Sequence, residues 1–151
     1  MSFNASLARG QLGEMLYYQA HEGKLEKLDG FKSDFKMVET GELIELKTDF
    51  YTMSKTQNFF FERYSNLEKG SPGGPYQAQV NGSNLFVYFY VNDMTFYEFK
   101  TDDLVAALDK LIPTLKPSDV KNSTYVTRGY LIPRGIIKDI ATERKIKLYV
   151  T

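Results

Sequence analysis

One segment constrains the fold of this chain more than any other: residues 32–64 read KSDFKMVETGELIELKTDFYTMSKTQNFFFERY. Residues 32–37 and 43–47 have the composition of β-strands, and the Glu-Thr-Gly-Glu between them is typical of a turn. The segment therefore predicts a β-hairpin. Because side chains alternate along a strand, Glu45 and Lys47 share one face of its second strand.

The register of this hairpin decides whether its polar side chains meet. If residues 40–41 form a two-residue turn, Asp34 lies opposite Lys47. In the same register, Lys36 lies opposite Glu45. Residues that lie opposite each other point to the same face of the sheet, so Asp34, Glu45 and Lys47 converge. A three-residue turn would shift the register by one position and separate Asp34 from the other two.

Two carboxylates and a lysine within a few ångströms of one another have a clear chemical use. Carboxylate oxygens are hard ligands that suit Mg²⁺ or Mn²⁺, and the carbonyl of Leu46 could add a further oxygen. A metal bound by Asp34 and Glu45 would polarise a phosphodiester and lower the pKa of a bound water, which Lys47 could orient. The alternative is a solvated hairpin face with cross-strand ion pairs, each worth ~0.2–1 kcal/mol.

The spacing of these residues resembles a known signature. Asp34, ten intervening residues and then Glu-x-Lys from Glu45 are similar to the PD-(D/E)XK motif of a nuclease superfamily, with Ser33 at the position of the motif's proline. The resemblance implies a helix–strand–strand–strand–helix core and metal-dependent cleavage of nucleic acid. In such proteins the helix before the hairpin often supplies a further glutamate, which implies that Glu14 is a metal ligand. The order of these residues also resembles that of archaeal Holliday-junction resolvases.

A closer likeness is to small phage-encoded members of this superfamily, and it covers roughly residues 9–112. The matching stretches are residues 45–49, 58–62, 71–74 and the aromatic run 85–91. This likeness implies that Glu62 is a secondary site residue, whereas a structural ion pair is the plain alternative. Ser83 and Asn84 stand where such proteins often carry Ala-Asp, so no acidic site residue is expected there.

Five residues are candidates for contacts with a nucleic-acid backbone: Arg9, Lys55, Arg63, Lys69 and Ser71. Arg9 lies near the start of a predicted helix, and Lys55 lies in a polar loop beside the predicted metal site. Lys69 and Ser71 belong to the run KGSPGGP, whose free backbone N–H groups could cradle a phosphate. Ordinary exposed cations and a plain connector are the alternatives.

Composition narrows the class of protein further. The 151 residues suit a single domain spanning residues 1–151, and 42% hydrophobic residues argue against a disordered chain. The formal net charge is zero, which counts mildly against tight non-specific DNA binding. The absence of cysteine excludes disulfides, zinc ribbons and thiol catalysis. No stretch resembles a signal peptide or a membrane span, so we expect a soluble, cytoplasmic protein with no membrane partner.

Hydrophobic periodicity predicts the remaining elements. These are a helix from about residue 4 to 22, a third, central strand at 59–64, an irregular stretch at 66–82, a second hairpin of 85–91 and 94–99, a helix at 101–111, a short strand at 130–132 and a helix at 133–143. The order predicts an α/β (α+β) fold in which helices flank a mixed central β-sheet. The resemblance implies that its core is restriction-endonuclease-like.

The sequence supports three interpretations of function. In the first, the protein is a Mg²⁺- or Mn²⁺-dependent deoxyribonuclease that hydrolyses phosphodiester bonds of duplex, single-stranded or branched DNA, as an endonuclease, exonuclease or junction resolvase. Exposed aromatic residues would permit a homodimer. In the second, the same fold is a catalytically inactive nucleic-acid-binding module. In the third, an unrelated α+β fold makes the pattern a coincidence. The hairpin register discriminates among the three, because the first two interpretations both fail if Asp34 and Glu45 do not converge.

Overall fold

The computed structural model describes residues 3–29 and 32–146, with side chains described from residue 7 onward. The helices and strands follow in this order: α1 Phe3–Ala20, β1 Leu25–Lys27, β2 Phe35–Met37, β3 Leu43–Asp49, β4 Asn58–Asn66, β5 Ser71–Pro72, α2 Gly74–Val80, β6 Leu85–Tyr90, β7 Thr95–Lys100, α3 Thr101–Leu111, β8 Ser118–Lys121, β9 Val126–Pro133, α4 Arg134–Ile137 and β10 Ala141–Lys145. Short 3₁₀ segments occur at Val91–Asp93, Ile112–Thr114 and Lys138–Ile140.

A six-stranded mixed sheet forms the centre of the fold, in the order β1-β2-β3-β6-β7-β10. Strands β3 and β6 are parallel, and the other neighbouring pairs are antiparallel. Helix α1 packs on one face of this sheet, and helices α2 and α3 lie on the other. The predicted fold class, α+β with a mixed central sheet flanked by helices, is thus confirmed. The restriction-endonuclease-like arrangement stays a prediction.

Strand β6 lies in the interior of this sheet because both of its faces are apolar. Phe86 and Tyr88 pack in the core beneath α2 and α3. Val87 and Phe89 point the other way and pack in the core beneath α1. A strand that is buried on both faces belongs inside a sheet rather than at its edge. Its neighbour β3 is therefore an interior strand too, with one face turned toward each core.

A second sheet, with strand order β5-β4-β9-β8, lies on the α2 and α3 side of the first. The strand predicted at residues 59–64 is present as β4, but the prediction that it is the third strand of the central sheet is wrong. It pairs with β5 and β9, and β6 takes the place beside β3. Strand β4 buries Phe59 and Phe61 but leaves Phe60 and Glu62 half-exposed. This alternation is typical of a strand that covers only one side of a core.

Two other stretches differ from the predictions. The stretch 66–82 contains β5 and α2 rather than irregular chain, because Pro75 favours the first turn of a helix. The helix predicted at 133–143 is limited to the short α4, and the chain then continues into β10, which pairs with β7. That pairing satisfies backbone groups of β7 that would otherwise form an open sheet edge.

Several predicted elements are confirmed. The second hairpin is β6–β7, and the helix predicted at 101–111 is α3. The helix predicted from about residue 4 to 22 is α1, and the strand predicted at 130–132 lies inside the longer β9. None of the helices in the described part of the chain is both long and apolar enough to cross a membrane.

Candidate active site

The hairpin that carries the predicted site has both of its strands, but its turn is longer than predicted and its first strand begins at Phe35 rather than at Lys32. A two-residue turn places Lys36 opposite Glu45, whereas in the structure Lys36 lies opposite Leu43. The turn runs over residues 38–41 and ends on Gly41, whose φ of 77° is in the left-handed region that glycine favours. The predicted register is therefore wrong by two positions. A shift of two keeps every side chain on its predicted face, because the side-chain period of a strand is two.

Asp34 immediately precedes β2, at the point where the ladder between β2 and β3 ends. Its N–H donates to the carbonyl of Ile44 at 2.9 Å, so its backbone still follows β3. Its carboxylate Oδ2 accepts the N–H of Leu46 at 2.7 Å. The side chain thus satisfies a backbone donor of β3 and is held against the middle of that strand. Leu46 makes this contact through its N–H, and the role of its carbonyl as a metal ligand stays a prediction.

Asp34 and Glu45 meet in the structure, and each affects the ionisation of the other. Burial raises the pKa of Asp34 to about 6; the Leu46 N–H lowers this pKa and the charge of Glu14 raises it. Burial also raises the pKa of Glu45 to about 8, with further contributions from the negative charges of Asp34 and Glu14. The carboxylates of Glu14 on α1, Asp34 just before β2 and Glu45 on β3 therefore lie close to one another.

Helix α1 brings Glu14 to this region because the helix packs very closely on β3. A Cβ atom added at Gly13 would lie 1.9 Å from the Cγ2 atom of Thr48, so this approach requires glycine. Glu14 is the next residue along the helix, and its Oε2 lies 3.3 Å from the Nζ of Lys27 in β1. Gly13 thus allows the close contact between α1 and β3, and this contact places the neighbouring Glu14 at the edge of the helix–sheet interface.

Glu45 and Lys47 line a cavity of about 170 Å³ between the two sheets. Phe86 contributes to its apolar wall, and polar groups come from Glu62 on β4 and Gln77 on α2. Glu62, the secondary candidate, therefore shares this cavity with Glu45 and Lys47. Gln77 has no signal in the sequence, because it belongs to a helix within a stretch whose glycines and prolines indicate irregular chain.

The two glycines at the start of α2 permit close packing against Glu62. A Cβ atom added at Gly73 would lie 2.8 Å from the backbone N of Ser65 and 2.9 Å from the Oε2 of Glu62. At Gly74, which has a φ of 49°, the added atom would lie 2.9 Å from the carbonyl O of Glu62. The glycine-rich run therefore has a packing role, which brings α2 and Gln77 up to β4.

Two of the nucleic-acid-binding candidates are associated with the loop that follows β3, residues 50–57: Lys55 lies within it and Arg9 lies beside it. The guanidinium carbon of Arg9 lies 5.2 Å from the ring centroid of Phe50, and Lys55 is exposed in the same loop. The loop is held by Arg134, whose guanidinium donates to two of its carbonyls at 2.7 and 3.1 Å. Arg134 lies so far along the chain that sequence patterns give no sign of this contact.

The other three candidates lie on or next to the second sheet. The guanidinium of Arg63 lies over the rings of Tyr64 and Tyr76, at 4.4 and 4.1 Å from their centroids. Lys69 is exposed in the turn after β4, and Ser71 begins β5. The structure therefore does not bring these three residues into the cavity with Glu45 and Lys47.

The acidic pair of Asp34 and Glu45 supplies the hard oxygen ligands that Mg²⁺ and Mn²⁺ prefer. Two half-buried carboxylates that repel each other favour a proton or a cation between them, as their raised pKa values indicate. Across residues 3–29 and 32–146, no three histidine, aspartate or glutamate side chains form a ready-made metal-binding group. The acidic pair itself still fits a hard divalent cation as two of its ligands, and the role of Glu14 as a further metal ligand stays a prediction.

No protein-family model fits the sequence, and no curated protein is significantly similar to it. The chemical character of the site therefore comes from its own residues. These are an acidic pair and a lysine, the lysine and one acid lying on the same face of β3. Such a combination is suited to a negatively charged substrate that is handled together with a cation.

Proposed function

We propose that the protein is a metal-dependent deoxyribonuclease of the PD-(D/E)XK type, with Asp34, Glu45 and Lys47 as its catalytic residues. The observation that carries this proposal is the meeting of two half-buried carboxylates with raised pKa values beside a lysine on the same strand face. Burying like charges together costs free energy, and such arrangements are typical of sites that act on a substrate. The half-buried position of both acids favours a chemical role over a solvated face with surface ion pairs.

Asp34 and Glu45 are the residues that would hold Mg²⁺ or Mn²⁺. When bound, the ion supplies Lewis-acid polarisation of the phosphate and neutralises negative charge. The Leu46 N–H, 2.7 Å from the Asp34 carboxylate, keeps this ligand oriented. Glu14 approaches the pair from α1, where its Oε2 lies 3.3 Å from the Nζ of Lys27, and it is proposed as a further metal ligand or as a group that orients the other two.

Lys47 acts on the substrate from the cavity. Its ammonium group has three donors and a full positive charge, so it can orient the attacking water and stabilise the charge that develops on the phosphate. Glu45 and Lys47 are two positions apart on one strand, which places their Cα atoms roughly 7 Å apart. Both side chains can therefore reach the same phosphate group.

The proposed contacts with the DNA backbone fall into two groups, one close to the catalytic residues and one farther from them. Arg9 and Lys55 are proposed to contact the DNA backbone next to the scissile phosphate, because Lys55 lies in the loop that leaves the catalytic strand and Arg9 lies beside it. Arg63, Lys69 and Ser71 are proposed as contacts farther along the substrate, on the side of the second sheet. Positive charges in both groups would attract the phosphate backbone although the net charge of the chain is zero.

A cleavage assay tests the proposed function. Purified protein is incubated with linear duplex, single-stranded, circular and four-way-junction DNA, each in Mg²⁺, in Mn²⁺ and in EDTA. We expect cleavage that requires the metal and that falls at least ~100-fold in Lys47→Ala, because one electrostatic donor typically contributes that much. Lys110→Ala, which changes an exposed lysine on α3, is the matched control and should keep wild-type activity.

The outcomes of this assay separate the interpretations. Wild-type rates in Lys47→Ala would overturn the assignment of Lys47 as a catalytic residue. A folded protein that binds DNA but cuts none of the four substrates would favour a catalytically inactive binding module. If cleavage occurs, the preferred substrate distinguishes an endonuclease from an exonuclease or a junction-resolving enzyme.

A further inference from the structure

The loop between α2 and β6, residues 81–84, forms hydrogen bonds with the segment that precedes β2. The hydroxyl groups of Ser83 and Ser33 lie 2.7 Å apart, and both serines are only 5% exposed. One residue earlier in that segment, the carbonyl of Lys32 accepts the side-chain amide N–H of Asn81 at 3.2 Å. Two successive residues before the site aspartate are therefore tied to this loop, one of them by a buried contact.

The same loop is also tied to β3 and to the cavity wall. The N–H of Asn84 donates to the carbonyl of Leu43 at 2.8 Å, and the N–H of Leu43 donates to Oδ1 of Asn84 at 2.8 Å. Gln77, which lines the cavity, donates its side-chain N–H to Oδ1 of Asn81 at 2.9 Å. The loop thus joins three parts of the site: the segment before Asp34, the start of β3 and helix α2.

Asp34 needs such support because its own strand is short. Strand β2 has three residues, and it pairs with β3 at two positions. The pairing ends at the hydrogen bond from the Asp34 N–H to the Ile44 carbonyl. The hydrogen bond from the Leu46 N–H holds the side chain of Asp34 against β3, and the buried serine pair adds a constraint on the backbone one residue before Asp34.

We propose that Ser83 is a positioning residue of the active site, which acts through Ser33 to hold the Asp34 carboxylate at the Leu46 N–H and beside Glu45. This inference rests on the proposed function, since it gives the serine pair a part in preparing the metal site. A buried hydroxyl pair resists displacement because separation leaves both groups without a partner. A ligand pair that is oriented before the cation binds loses less conformational freedom on binding.

Two variants separate positioning from packing. Ser83→Ala alone leaves the Ser33 hydroxyl buried without its partner, so this variant also loses stability. In Ser33→Ala/Ser83→Ala neither hydroxyl remains, so the unpaired group is removed and stability returns toward that of the wild type. Ser65→Ala is the matched control, because it removes a half-buried hydroxyl that bonds the Pro72 carbonyl at 3.1 Å in the second sheet.

The readouts are amide hydrogen exchange of Leu46 in the metal-free protein, measured by NMR, and Mn²⁺ affinity, measured by titration with EPR detection. In the double variant we expect Leu46 to exchange at least ~10-fold faster, because its acceptor is no longer held in place. We expect Mn²⁺ to bind roughly 10–100-fold more weakly, the usual effect of removing a group that orients a metal ligand. Ser65→Ala should change neither quantity. Wild-type Leu46 exchange and Mn²⁺ affinity in the double variant would overturn the inference.

These readouts also separate the inference from the proposed function. If the wild type cleaves DNA and the double variant matches it in both readouts, the proposed function stands and the inference alone is overturned. If the wild type neither binds Mn²⁺ nor cleaves DNA, the proposed function is overturned. The role of Ser83 in holding Asp34 is then still tested by amide exchange in the metal-free proteins. Faster exchange of Leu46 in the double variant supports this role, and wild-type exchange overturns it.

Discussion

Replacing Glu45 by glutamine should stabilise the metal-free protein although it removes a proposed metal ligand. Burial, together with the charges of Asp34 and Glu14, raises the pKa of Glu45 to about 8. The pKa of this carboxyl is higher in the folded state than its ordinary value of 4.5, which applies to the unfolded chain. Such a group contributes stability that is fully present below that lower value. This stability is lost as the pH rises through about 8. Metal-free wild type should therefore be less stable at high pH, and Glu45→Gln, which cannot ionise, should lose less.

The raised pKa also gives the size of this effect. A rise from 4.5 to about 8 corresponds to at most ~5 kcal/mol for the ionised form, at ~1.4 kcal/mol for each tenfold step. Glu45 is only half-buried, so solvent screening lowers this cost, and we expect Glu45→Gln to be about 2 kcal/mol more stable than the wild type near pH 9. For a chain of 151 residues, this difference corresponds to a rise in Tm of roughly 4–8 °C.

The assay is differential scanning calorimetry in EDTA at several pH values from about 5 to 9. Glu68→Gln serves as the control, because Glu68 is exposed in the turn after β4. Added Mn²⁺ should reduce the difference between the wild type and Glu45→Gln, since a cation that binds the folded wild type stabilises it. A variant no more stable than the wild type near pH 9, or a wild type that gains stability over this pH range, would refute the reasoning.

Two further substitutions test how the site is held in place. Gly13→Ala should push α1 away from Thr48, lower the free energy of unfolding by ~1–3 kcal/mol and weaken Mn²⁺ binding through movement of Glu14. Adding Thr48→Ser removes the clashing methyl group. In the double variant, urea unfolding should show recovered stability and metal titration should show recovered Mn²⁺ affinity. Arg134→Lys should lose the paired donation to the loop carbonyls, speed amide exchange in residues 50–57 and weaken DNA binding, with Mn²⁺ affinity unchanged. Wild-type stability in Gly13→Ala, or wild-type loop exchange in Arg134→Lys, would contradict these expectations.

Local patterns were sufficient for the elements whose burial repeats regularly along the chain. The alternation in residues 85–99 predicts the hairpin of β6 and β7, and the apolar stripe of residues 101–111 predicts α3. The convergence of Asp34 with Glu45 is likewise local, because it depends only on whether the pairing of β2 with β3 is shifted by an even or an odd number of residues. The turn length itself is not local, since Gly41 suits both a two-residue turn and the longer one that the structure contains.

Long-range pairing accounts for what the sequence does not predict. The pattern of β4 identifies a strand but does not say which of two sheets it joins. Residues 141–145, ATERK, contain good helix formers, yet they form β10 because the edge of β7 offers partners for their backbone groups. Contacts such as that between Ser33 and Ser83 join residues fifty positions apart, and no periodic pattern connects them.

The cores on the two sides of the central sheet restrict how β2 can slide along β3. A slip of the pairing by one residue would turn the Asp34 carboxylate toward α1 and would take Phe35 out of the core beneath that helix. A slip by two residues would keep both side chains on their present faces. Residues added within the turn itself lengthen the loop and need not move the pairing. A search for comparable sites in other chains should therefore allow turns of any length and should require only that the aspartate and the glutamate share one face of the sheet.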